Sequence, residues 1–168
     1  MIIRSEQSSD IEEIRRINIE AFGSEPEADL VEALRDSGIP LISLVAEKDD
    51  ELIGHILFSP VSIEPENADV RIAGLAPMAV ATAFQNREIG SKLVEEGLKR
   101  CKLAGYVAVV VLGHPNYYPK FGFIPSVKYG IKSEYDVSSD VFMVIELVDG
   151  VLAECGGIVR YHEAFNLL

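Results

Sequence analysis

Residues 107–113, VAVVVLG, are apolar without interruption. A strand with one wet face alternates polar and apolar residues, so this run reads as a strand covered on both faces. Ahead of it, Ile89, Leu93, Val94, Leu98, Cys101 and Ala104 form a stripe at helical spacing. That stripe predicts a helix over 88–104, with Gly105 as its stop. Earlier still, VRIAGLAPMAV at 70–80 reads as a strand, and Pro77 points to a bulge or an unpaired stretch within it. Strand, helix and strand in this order predict a right-handed parallel crossover over 72–112.

The flanking segments complete the expected fold. MIIR reads as a short first strand. A helix follows, with Ile11, Ile14, Ile17, Ala21 and Phe22 on one face and Ser9 with Glu12 as a capping box. A second helix is predicted over 25–36, with Ser24 and Glu27 repeating the box and Pro26 tolerated in the first turn. LISLVAE and LIGHILFSPVSI, separated by KDDE, predict a hairpin. HPNYYPKFG reads as a short aromatic helix, DVFMVIELV as a strand and GGIVRYHEAF as one more. The whole is an α/β (α+β) mixed sheet with helices on its faces, a three-layer single domain over 1–168.

Composition limits what such a domain does. The chain has 168 residues, 48% of them hydrophobic, and a net charge of −12. That charge repels nucleic acid and anionic membranes and draws in cations such as amines. A solvated acidic surface is the simpler explanation of the net charge alone. Cys101 and Cys155 form neither a CxxC pair nor a Cys/His cluster, so no metal is expected. The N-terminal MIIRSEQSSD lacks a signal-peptide core, and no apolar run reaches membrane-spanning length. A cytoplasmic, reduced protein is expected.

The stretch FQNREIGSKLV, 84–94, opens the predicted crossover helix. The first N–H groups of a helix have no internal acceptor, and with the helix dipole they attract phosphate. Residues 85–102 carry +2 while the remainder carries −14. An ordinary amphipathic helix with a charged outer face has the same signature, so spacing leaves both readings open.

The segment MAVATAFQNREIGSKLV resembles the acetyl-CoA motif of the GNAT superfamily of N-acetyltransferases. The family pattern is Gln/Arg-x-x-Gly-x-Gly/Ala; here it reads Gln85-Asn86-Arg87-Glu88-Ile89-Gly90. YYPKFGF resembles the family's Tyr-x-x-x-Gly-Phe element, with Tyr118 in the tyrosine position. VVVLGHPNYYPKFGF with the closing GGIVRYHEAF is most similar to the YhbS-like branch. The resemblance covers nearly the whole chain. The departure is Glu88, where the family has glycine. Glycine there lets the backbone approach a pyrophosphate and accepts unusual dihedrals. Two outcomes are open: Glu88 adopts helical dihedrals with its side chain in solvent, or its carboxylate lies against the pyrophosphate. A retained but weakened site is expected.

The resemblance implies the rest. The family fold has a central mixed twisted sheet with helices on both faces, and acetyl-CoA is the co-substrate. Met78, Ala79 and Val80 pair with the pantetheine arm, and an N–H of Ala79 or Val80 polarises the thioester carbonyl. Gln85, Asn86, Arg87, Glu88, Ile89, Gly90 and Ser91 hold the pyrophosphate. Asn116 reaches the cofactor, Lys120 either does so or is merely solvated, and Tyr118 protonates the departing thiolate. Without the family frame Tyr118 reads as a packed aromatic. The acceptor is an amine of a small molecule or a protein, and the frequency of dimers in the family leaves a homodimer open. Glu47, His55, Glu64 and His114 are the candidate bases; a water chain is the alternative. His55, inside an apolar strand, reads more simply as a satisfied core histidine. Phe22, the acidic run 25–29 and residues 129–135 are candidates for the acceptor wall. Glu88 also motivates a second class of function, a non-catalytic acyl-CoA-binding or regulatory module. A Rossmann-type nucleotide-binding domain is disfavoured, because no GxGxxG follows the first strand.

Overall fold

A computed structural model describes residues 1–168. The strands are β1 (Ile2–Ser5), β2 (Ile42–Lys48), β3 (Glu51–Glu64), β4 (Ile72–Val80), β5 (Ala108–Leu112), β6 (Ile124–Pro125), β7 (Ile131–Ser133), β8 (Phe142–Glu146) and β9 (Gly157–Arg160). The helices are α1 (Ile11–Phe22), α2 (Pro26–Asp36) and α3 (Ile89–Leu103). The strands form one mixed sheet in the order β1-β2-β3-β4-β5-β8-β6, with β9 pairing β3 and β7. The β2–β3 hairpin is antiparallel, as its turn residues predicted. β4 and β5 are parallel, as the intervening helix predicted. Their ladder joins Ile72–Gly74 to Ala108–Val110, while the strands continue to Val80 and Leu112.

The chain divides into two compact units. The first comprises Met1–Ser59, Ala76–Gly97 and Glu163–Leu168. Two close packings fix α3 within it. A Cβ on Gly54 of β3 would come within 3.0 Å of Leu93 and 3.3 Å of Ile89, so the bare glycine seats the start of the helix. A Cβ on Gly97 would come within 2.2 Å of the Phe58 ring, which fills the space a larger residue would need. Leu93 and Val94 are fully buried, as the helical stripe predicted.

The first unit also holds a polar chain that starts at the buried Asn18 and His55 and ends at half-buried groups. Asn18 of α1 donates to the Ile14 carbonyl (3.0 Å) and lies 3.2 Å from His55 Nδ1. His55 Nε2 lies 2.9 Å from Ser43 Oγ, which donates to Glu6, and Arg35 donates two bonds to Glu6. The polarity follows from one end. The Asn18 amide is a donor, so Nδ1 accepts and the proton sits on Nε2. His55 is therefore a satisfied core histidine, and burial, the dominant cause, lowers its pKa to about 4.

The helix starts differ from expectation. Ser9 lies inside a 3-10 turn (Ser8–Asp10), and α1 begins only at Ile11. The residue that reaches back is Asp10, which accepts the Gln7 N–H (2.7 Å) and two bonds from Arg4. That ion pair holds the Asp10 carboxyl below its usual range. In α2 the residue before the helix is Glu25, and no side chain caps it. Pro26 occupies the first position, where its fixed φ suits a helix and its missing N–H needs no cap. The Ser24–Glu27 box is thereby displaced.

The second unit comprises Pro60–Leu75 and Leu98–His162. Its core gathers Ile63, Ile72, Ala108, Val110, Ile131, Phe142, Val144, Leu152 and Val159. The continuous apolar run of β5 is buried from Ala108 to Val111 because β4 and β8 flank it and side chains cover both faces. The short strands β6 and β7 escaped the sequence reading: two or three residues are too few to show a period.

Candidate active site

In the first unit, β4 ends at Val80 and the chain turns through a 3-10 turn (Thr82–Phe84) into α3. Three hydrogen bonds fix this exit. The Ala81 N–H donates to the Ile53 carbonyl (2.9 Å), and the Thr82 N–H donates to the Glu20 carboxylate of α1 (3.1 Å). The Gln85 side-chain amide donates back to the Val80 carbonyl (3.1 Å). Gln85 thus spends a donor on tying the strand end.

Beyond Gln85 the backbone enters the left-handed region twice. Asn86 has φ 62° and Glu88 has φ 63°. Alternating hand turns successive N–H groups towards one side and makes an anion-binding concavity. Glu88 then accepts the Lys92 N–H (3.1 Å), so it is the residue from which α3 starts. The right-handed conformation considered for Glu88 is corrected: this position is left-handed, the region that glycine enters without cost and a side chain does not. The other half of that outcome holds, for the Glu88 side chain is exposed. Arg87 is exposed as well, with its guanidinium 5.6 Å from the centre of the Phe84 ring. Ile89 is buried, while Gly90 and Ser91 are half-buried in the first turn of α3. Within β4, Ala79 is buried and Met78 and Val80 are half-buried.

In the second unit, β5 runs into a 3-10 turn (Tyr118–Phe121). The His114 carbonyl accepts the N–H groups of Tyr117 (3.1 Å) and Tyr118 (3.4 Å). Tyr118 is buried, with edge-on contacts to Tyr117 (5.1 Å) and Phe123 (5.6 Å). A Cβ on Gly113 would lie 2.3 Å from the Tyr118 ring, so the ring covers that glycine. Burial pushes the Tyr118 phenol up to about 12, with Tyr117 contributing, which keeps it protonated at neutral pH. Asn116 is exposed, and Lys120 Nζ sits 4.2 Å from the centre of the Tyr117 ring.

Residues 2–125 match the family model described as an acetyltransferase (GNAT) domain. YhbS of Escherichia coli K12, named an N-acetyltransferase, is 36% identical over 167 residues, 99% of this chain and 99% of its own. The chain belongs to the GNAT superfamily. The crystal structure of E. coli YhbS in complex with CoA matches this GNAT chain with TM-score 0.92 at 36% identity, over 98% of this chain and 91% of that one. A GNAT acetyltransferase from Brucella melitensis in complex with acetyl-CoA matches with TM-score 0.80 at 34% identity, over 98% and 97% of the two chains.

The GNAT chain gives most of the candidate bases other partners. Glu47 receives Arg4 (3.3 Å), Glu64 receives Arg160 (2.7 Å), and His55 is enclosed by Asn18 and Ser43. His114 is exposed and contributes its carbonyl to the Tyr118 turn. Among the acceptor-wall candidates, Phe22 is exposed, Glu25 and Asp29 engage Arg15, and Tyr135 stacks on Tyr161 at 5.7 Å. Sequence reasoning missed Glu20 and Lys48 altogether. Glu20 meets Thr82 across 62 positions, and no local pattern reports such a contact.

Proposed function

We propose that this GNAT chain moves the acetyl group of acetyl-CoA to an amine by direct attack, with no covalent enzyme intermediate. The observation that carries the reading is the left-handed pair Asn86 and Glu88 at the mouth of α3. It turns the N–H groups of residues 86–90 into a seat for the pyrophosphate. Met78, Ala79 and Val80 receive the pantetheine arm. The short β4–β5 ladder supports this, because β4 continues well past its last pairing with β5. An N–H of Ala79 or Val80 polarises the thioester carbonyl. Gln85 serves by holding the Val80 carbonyl, and Ser91 and Asn116 complete the cofactor contacts.

The amine nitrogen attacks the carbonyl carbon, the C–S bond breaks, and the Tyr118 phenol gives its proton to the leaving thiolate. Its raised pKa suits a group that must arrive protonated. Because Glu47, His55 and Glu64 are engaged elsewhere, the proton lost by the acceptor passes to the exposed His114 or to water. The acceptor is an amine of a small molecule or a protein. We read the chain as one transferase domain, since β3, β4 and α3 each contribute residues to both compact units. The two free thiols, Cys101 and Cys155, accord with a cytoplasmic setting.

The test is calorimetric titration with acetyl-CoA, followed by thiol release across a panel of amines. Tyr118→Phe should lower kcat about 100-fold while acetyl-CoA affinity stays within about twofold. Equal turnover by wild type and variant would remove Tyr118 from the mechanism. Failure of the wild type to bind acetyl-CoA would remove the cofactor site.

A further inference from the structure

The pyrophosphate turn leaves one feature of its neighbourhood unused. Phe84, half-buried in the 3-10 turn after β4, carries two cations against its ring. The Arg87 guanidinium lies 5.6 Å from the ring centre and the Lys48 ammonium 6.0 Å. Lys48 ends β2, so the β2–β3 hairpin delivers it from 39 positions before Arg87. Five arginines of this chain, at positions 4, 15, 16, 35 and 160, are engaged by carboxylates. Lys48 and Arg87 instead both lie against one aromatic ring.

Resting on the acetyl-CoA reading, we infer that Lys48, Phe84 and Arg87 form the seat of the 3′-phosphate on the adenosine end of coenzyme A. A phosphate monoester carries nearly two negative charges at neutral pH and accepts several hydrogen bonds. Two cations held against one ring next to a pyrophosphate turn match that chemistry. Arginine supplies a planar fork and lysine a point charge. Phe84 holds both side chains by cation–π attraction, which lowers the ordering cost when the phosphate arrives. Asp49 and Asp50 form the hairpin turn beside Lys48, and Glu88 follows Arg87. These exposed carboxylates weaken the long-range positive field. Selectivity therefore comes from direct contact and persists at 0.15 M salt, where the screening length is about 8 Å.

Calorimetry with CoA and with 3′-dephospho-CoA at that ionic strength tests the seat. Wild type should prefer CoA by about tenfold or more. Lys48→Ala should cut that preference at least about threefold and leave the affinity for 3′-dephospho-CoA unchanged. Phe84→Leu, checked for folding by circular dichroism, should also cut the preference. Equal wild-type affinity for the two ligands, or a preference unchanged by Lys48→Ala, overturns the seat while the cofactor reading stands. If wild type binds neither ligand, the cofactor reading itself fails and takes the seat with it.

Discussion

Glu88 stands at a backbone position shaped for glycine. Its φ of 63° places a side chain where its Cβ crowds the following carbonyl, at a cost of about 1–2 kcal/mol for a non-glycine residue. Glu88→Gly removes that strain but gives the unfolded chain more freedom, so the net gain is about 1 kcal/mol at most. A rise in Tm of about 2–4 °C is expected. The same variant removes an exposed carboxylate from the proposed pyrophosphate turn, so acetyl-CoA affinity should rise modestly at low salt and less at high salt. A Tm that falls, together with unchanged affinity, would show that the residue bears neither cost. Cation and ring at Phe84 belong to this scale too, for there the contact is legible only as a distance between side chains.

At the scale of elements, α3 is held by what its neighbours lack. Gly54 admits Leu93 and Ile89, and Gly97 admits the Phe58 ring. Gly97→Ala gains helix propensity, about 1 kcal/mol in an exposed helix. Here its methyl would stand 2.2 Å from a ring that is itself fully buried. Overpacking of this kind costs about 1–3 kcal/mol, so chemical denaturation should show net loss of stability. Phe58→Leu in the same chain should recover part of the loss, a coupling that a double-mutant cycle measures directly. Independent effects of the two changes would mean that α3 does not rest on that ring. Glu20 acts at the same scale, tying α1 to the exit of β4 through the Thr82 N–H. Shortening it, Glu20→Ala, should weaken acetyl-CoA binding with little change in Tm.

Across the molecule, the polar chain of the first unit makes stability depend on acid. It joins the segment after β1 to α1, α2, β2 and β3 through Glu6, Asn18, Arg35, Ser43 and His55. Burial is the main reason that the His55 pKa falls from 6.5 to about 4; Glu6 opposes the fall and Arg35 adds to it. Between those values the unfolded chain binds the proton and the folded chain does not. Stability is therefore fully present above pH 6.5 and lost progressively as pH falls towards 4, by roughly 3 kcal/mol in all. Denaturation midpoints over that window should drop in wild type and drop less in His55→Gln. Parallel slopes for the two proteins would exclude His55 as the source.

Local patterns carried much of this far. The stripe of α3, the unbroken run of β5 and the hairpin at 48–51 are readable because a helix repeats every 3.6 residues, a buried strand needs apolar residues on both faces, and turns select their residues. The family motif marked Gln85–Ser91 for the same reason: a turn that seats phosphate on backbone N–H groups constrains neighbours in sequence. The helix starts were displaced because Asp10 found Arg4 and Pro26 needed no cap, both competitions that tertiary and backbone geometry decide. Long-range pairings left no local trace. Glu20 with Thr82, Lys48 with Phe84, and Asn18 with His55 are 62, 36 and 37 positions apart. The amino-acid sequence by itself determined most of the segments that become strands and helices and where β4 hands over to α3, because those depend on near neighbours. Only the tertiary structure decided the neutral state of His55 and the meeting of Lys48 with Phe84, because each is set by atoms that the fold brings from elsewhere in the chain.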